Sequence, residues 1–88
     1  MRKKHKATLS TVFSDRVSAS IPWRDIEKML AAAGVEITEG RGSRVRVYLN
    51  GVRAVFHRPH PEKETDKGAV KSVRRFLAAA GVTPAKEG

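Results

Sequence analysis

Eighty-eight residues suffice for one hydrophobic core and are too few for two, so a single domain is expected. The absence of cysteine removes disulfides, thiolate metal sites and cysteine nucleophiles. No apolar run approaches the roughly 20 residues of a membrane span, and the basic Arg2-Lys3-Lys4 is not followed by a signal-type hydrophobic stretch. Eighteen Lys and Arg against nine Asp and Glu leave a formal charge of +9, which points to a polyanionic partner, with the cytoplasm as the expected location and no membrane association.

Residues 1–6 are polar and basic without periodicity and are expected to form a mobile arm. Leu9, Val12 and Phe13 then recur at helical spacing and predict a short helix over 7–14, with Ser18-Ala19-Ser20 as a loop, so residues 1–20 read as a basic arm carrying one short helix. The next helix begins near Pro22, whose fixed φ suits a first turn, and Asp25 and Glu27 lie where they complement the helix dipole. Trp23, Ile26, Leu30 and Ala33 form its apolar face, joined by Met29, and Gly34 supplies a left-handed cap. The string from Leu30 to Val35, Leu-Ala-Ala-Ala-Gly-Val, returns from Leu77 to Val82. The flanking residues do not match, so this reads as two helices ending alike and not as a structural repeat.

Residues 35–38 alternate as a strand, Gly40-Arg41-Gly42-Ser43 forms a flexible turn, and residues 44–49 alternate again. Asn50-Gly51 supplies the two positive-φ positions of a type I′ hairpin, so residues 52–57 are expected to pair antiparallel with 44–49. With Val45, Val47 and Leu49 facing inward beside Ala54 and Phe56, the opposite face carries Arg44, Arg46, Tyr48, Arg53 and His57. Residues 41–58 hold five arginines and no acid, so that face is basic. Arg58-Pro59-His60-Pro61 cannot continue a central strand. A last helix starts at Thr65 or Asp66, either of which can cap it, and runs to Gly81. Val70, Val73, Leu77 and Ala80 lie on one of its faces and Lys67, Lys71 and Arg74 on another, while residues 83–88 read as a frayed tail. The expected fold is an α+β sandwich of α-β-β-β-α order, as in double-stranded-RNA-binding domains: a three-stranded antiparallel sheet with two helices on one face, plus the extra N-terminal helix.

An amphipathic helix ending at Gly34, a Gly42-Ser43 turn into a strand, a hairpin, Pro59-His60-Pro61, Lys67-Gly68 and a final helix closing with Ala80-Gly81-Val82 occur in the order of the HicA toxins. The sequence resembles that family over residues 21–82. The resemblance implies a type II toxin of double-stranded-RNA-binding-domain-like fold that cleaves messenger RNA as a metal-independent endoribonuclease and is neutralised by a HicB-like antitoxin. HicA toxins typically carry a catalytic histidine directly after the Gly-Ser turn, where this sequence has Arg44.

RNA cleavage by its own 2′-hydroxyl needs a base for that proton and an acid for the leaving 5′-oxygen, and groups titrating near neutrality serve best. Arginine stays protonated and cannot be that base, but it can stabilise charge developing on phosphate. His57 and His60 are the titratable candidates near the basic sheet. The resemblance places a family histidine at His60, and for both histidines a purely structural or exposed role stands as the alternative. No third ligand is spaced for a metal site and no cofactor is implied. Lys67-Gly68 at a helix start suits phosphate, extended by Lys71 and Arg74; the alternative is that Gly68 serves packing and the basic residues form a solvated face. Arg41, Ser43, Arg44, Arg46 and Arg53 add backbone contacts that position RNA without reading sequence, and Tyr48 beside them can stack on a base or serve only as a β-former. Two readings stay open: a ribonuclease toxin with altered catalytic apparatus, or a non-catalytic RNA-binding relative.

Overall fold

The computed structural model describes residues 1–16, 20–60 and 62–87. Along these the chain forms α1 (Lys3–Val12), α2 (Trp23–Ala32), β1 (Glu36–Glu39), β2 (Arg44–Leu49), β3 (Val52–His57), α3 (Lys67–Ala79) and the single turn α4 (Pro84–Glu87). The strands form one antiparallel sheet in the order β1-β2-β3. This is the expected α+β sandwich with an added N-terminal helix.

Strand alternation decides what each face of the sheet does. Along β2 burial strictly alternates, with Val45 and Val47 buried between exposed Arg44, Arg46 and Tyr48. The register places Ile37, Val47 and Ala54 on one inner row and Val45 and Phe56 on the next. Phe56 joins both covering helices to the sheet: Trp23 of α2 meets it edge-on at 6.2 Å, and Phe76 of α3 at 6.0 Å. Leu9, Val12, Ile26, Met29, Leu30, Val70, Val73 and Leu77 complete a core of almost wholly buried side chains. The other face of the sheet has no covering element among the described residues.

The repeated Leu-Ala-Ala-Ala-Gly-Val string is a repeated cap. Gly34 and Gly81 take φ of +90° and +82°, and the N–H groups of Val35 and Val82 bond back to the carbonyls of Leu30 and Leu77. This is the Schellman arrangement, with the apolar residue after each glycine packed into the core. Because Val35 gives its N–H to the cap, β1 starts at Glu36, one residue later than alternation alone suggests. The hairpin forms as expected, Asn50 and Gly51 having φ of 51° and 81°. The Asn50 amide then donates to the Ala80 carbonyl at 2.8 Å, tying the hairpin tip to the end of α3. Asp66 caps α3 by accepting from Ala69 N–H at 2.8 Å.

Two terminal expectations are corrected. The first helix spans Lys3–Val12, not 7–14, because a half-buried Met1 packs against the core and the helix begins in the segment expected to be a mobile arm. It stops at Val12, where the Arg74 guanidinium takes up the carbonyls of Val12 and Ser14 at 2.7 and 2.8 Å. Beyond Val82, Pro84 starts one helical turn beside α1 where a frayed tail was expected. The expected loop at 18–20 and the expected proline at Pro61 fall largely or wholly outside the described residues.

Candidate nucleic-acid interface

The open face of the sheet is built from three cross-strand rows. Glu36, Tyr48 and Arg53 form the first, Thr38, Arg46 and Val55 the second, and Arg44 with His57 the third. Arg44, Arg46, Tyr48, Arg53 and His57 therefore share the face that strand parity assigns to them, all exposed. Parity also places Val55 there, an outward apolar residue that the alternation itself marks.

The β1–β2 turn shapes the end of this face. Gly40 donates its N–H to the Arg44 carbonyl at 2.9 Å, and a Cβ at Gly40 would lie only 3.2 Å from the Arg44 Cβ and carbonyl oxygen. Gly42 takes φ of 63° and turns the chain into β2. The result brings Arg41, Arg44 and Arg46 around a hollow of about 160 Å³ with Gly40 and Val55. Beside it, the Ser43 hydroxyl lies 3.1 Å from Nε2 and 3.3 Å from Nδ1 of His57, and Arg58 N–H donates to the Ser43 carbonyl at 2.6 Å. Ser43, Arg44 and His57 thus form one exposed cluster at the sheet end.

Farther along the same face, a groove of about 590 Å³ is lined by Glu36, Thr38, Arg46, Tyr48, Arg53 and Val55 among others. The Arg53 guanidinium carbon sits 5.4 Å from the Tyr48 ring centroid, a cation–π arrangement. A third hollow, of about 300 Å³, runs from His57 and Pro59 to Thr65, Asp66 and Ser72 at the start of α3.

The remaining candidates lie elsewhere. His60 is exposed in the loop after β3, where its Nδ1 accepts from Glu62 N–H at 3.3 Å and its carbonyl accepts from Lys63 N–H at 2.8 Å. That loop is tied to the start of α2 by Trp23 N–H to the Lys63 carbonyl and Thr65 N–H to the Ile21 carbonyl. Lys67 and Lys71 are exposed on α3. At its first turn, the Asp66 carboxylate already occupies the helix end, and a Cβ at Gly68 would meet Asp66 Oδ1 at 3.3 Å. Gly68 thus makes room for the cap, and the exposed positive charge beside it belongs to Lys67. Arg74 is half-buried and bonded to the end of α1.

Arg58, the fifth arginine of the basic stretch, is internal to the fold. Its Nε donates to Glu27, which also accepts from Trp23 Nε1, and its Nη1 donates to both carboxylate oxygens of Glu39 at 2.8 and 2.9 Å. Its hydrogen bonds to Glu39 and then to Glu27 push its pKa above the ordinary arginine value despite partial desolvation. The signal that could have found it is strand parity, which gives Arg58 and Glu39 the inward side of the sheet end.

No helix among the described residues is long and apolar enough to cross a membrane. Comparison with known proteins finds no match among curated proteins or solved structures. A family model described as the HicA toxin of bacterial toxin-antitoxin matches residues 23–82, from the first residue of α2 to the cap of α3. Covering well over half the chain and all three strands, that match agrees with the fold and with the order of its motifs: the protein belongs to the HicA family, the toxins of bacterial toxin–antitoxin systems.

Proposed function

We propose that this toxin binds RNA across the open face of its sheet and cleaves messenger RNA without a metal ion, in the cytoplasm, under the control of a HicB-like antitoxin. One observation carries this reading: an arginine-lined hollow adjoins a hydroxyl–imidazole pair on the same exposed face. A phosphate drawn to Arg41, Arg44 and Arg46 lies at the sheet end where Ser43 and His57 stand.

In this mechanism His57 removes the proton from a ribose 2′-hydroxyl, whose oxygen attacks the adjacent phosphorus. The bond from phosphorus to the 5′-oxygen breaks, leaving a 2′,3′-cyclic phosphate and a 5′-hydroxyl end. Arg44, the cross-strand partner of His57, offsets charge gathering on the non-bridging oxygens, and Ser43 holds the imidazole in place. His60 is assigned the proton for the leaving oxygen, while Lys67 and Lys71 extend the phosphate contacts.

A second reading has its own support. Arg44 stands where HicA toxins typically carry their catalytic histidine, which favours a relative that binds RNA and does not cut it. Incubation of a mixed RNA substrate in EDTA separates the two. Cleavage that His57→Ala reduces to background, and that His60→Ala lowers by at least about 100-fold as expected for loss of a general acid, supports the enzyme. RNA binding without cleavage, with activity appearing only in Arg44→His, supports the binding relative.

A further inference from the structure

Among the described residues, Tyr48 and Val55 are the large hydrophobic side chains left exposed, at 38% and 59%. Both line the same groove on the open sheet face. They sit on adjacent rows as diagonal neighbours across β2 and β3, a separation of about 7 Å that an aromatic ring spans. The fold gains little by placing them there, since its core lies on the other side of the sheet.

Charge along this face is graded. Arg41, Arg44 and Arg46 crowd the end near His57, whereas Glu36 stands directly opposite Tyr48 on β1. A phosphate is favoured at the first end and disfavoured beside Glu36, and the apolar floor of the groove asks for a flat, uncharged ligand. Arg53 already lies over the Tyr48 ring, so the stacking surface is formed before any ligand arrives. A paired A-form helix cannot use such a surface, because its bases are stacked inside and its exterior offers phosphates and 2′-hydroxyls. A single strand can turn a base outward and stack it on an aromatic ring or a guanidinium plane.

From this we infer that the groove is a base-stacking subsite for unpaired RNA, with Tyr48, Arg53 and Val55 receiving one splayed base while the neighbouring phosphate lies on Arg44 and Arg46. The protein is thereby selective for single strands, although its element order is that of double-stranded-RNA-binding domains. The inference rests on the RNA-binding reading above and adds the strandedness of the ligand and the residues that sense it.

The test uses the full chain and a fluorescein-labelled ten-nucleotide 2′-O-methyl RNA, which lacks the nucleophilic hydroxyl, alone and annealed to its complement, with anisotropy as the readout. The single strand is expected to bind on the order of tenfold more tightly than the duplex, and Tyr48→Ala to weaken single-strand binding by on the order of tenfold, with Tyr48→Phe close to the parent. Duplex binding should be unchanged in both variants. Val55→Ser provides a second disruption of the same floor, should Tyr48→Ala alter the strand, and circular dichroism checks folding. Equal affinity for single strand and duplex, or single-strand affinity unaffected by both Tyr48→Ala and Val55→Ser, overturns the inference while RNA binding stands, and leaves the face to a protein partner. Absence of binding to either RNA at low salt removes the RNA-binding reading and this inference with it.

Discussion

Two arginines with similar sequence surroundings do different work, and the difference lies in what each can reach. Arg46 faces solvent on the open sheet, whereas Arg58 is 25% exposed and joins α2 to β1 through Glu27 and Glu39. Changing Arg58 to Met leaves two carboxylates without their cation. Because Glu39 is 71% exposed, solvent takes over part of its pairing, so the expected loss is about 1–2 kcal/mol, not the larger cost of a fully buried pair. A raised pKa contributes stability that is present throughout the range below the ordinary arginine value and lost only as pH climbs through the higher folded value. Arg58 thus adds no pH dependence near neutrality. Thermal unfolding should show the same deficit for Arg58→Met at pH 7 and pH 9, and a deficit confined to one of them contradicts this account. The role of Arg58 is hard to see in sequence because its partners stand 31 and 19 residues away, so that inward strand parity marks it off from Arg53 without naming what it meets.

At the level of elements, what sequence makes legible is what local chemistry dictates. Asn50-Gly51 must turn the hairpin, Gly34 and Gly81 must end their helices, and Asp66 caps α3, all of which need only neighbouring residues. The sheet parity followed from alternation and brought Arg44, Arg46, Tyr48, Arg53 and His57 to one face. The extent of α1 was not legible in the same way, since Arg2 at its cap and Lys3, Lys4 and Lys6 in its first turn are all basic, and helicity there depends on docking. Arg74 belongs to that docking: its guanidinium meets the negative end of α1 from α3. Replacing Arg74 by Ala is expected to cost about 1 kcal/mol and to lower hydrogen-exchange protection across α1, while RNA affinity changes less than about twofold. A variant that keeps α1 protected but loses RNA affinity would return Arg74 to the binding surface.

For the whole molecule, the excess positive charge makes salt the most direct probe. Arg41, Arg44 and Arg46 are exposed on or beside the open face, so phosphate contacts of a single strand with these three should contribute about −2 to the slope of log K against log salt. Each Arg→Ala substitution within that set should flatten the slope by about 0.7, whereas Arg58→Met and Arg74→Ala should leave it alone. A slope near zero would mean that the partner is not held through its phosphates.

The strict alternation of β2 has a consequence for how this protein can change over time. Position 44 projects into solvent while its neighbour Val45 is 1% exposed, so a residue of the open face and a residue of the core are adjacent in the chain yet independent in effect. A lineage can exchange the side chain at position 44, and with it the charge of the open face, without passing through an unfolded intermediate sequence. Each such exchange is a single neutral step as far as the fold is concerned, and an arginine at that position is a substitution the scaffold scarcely registers.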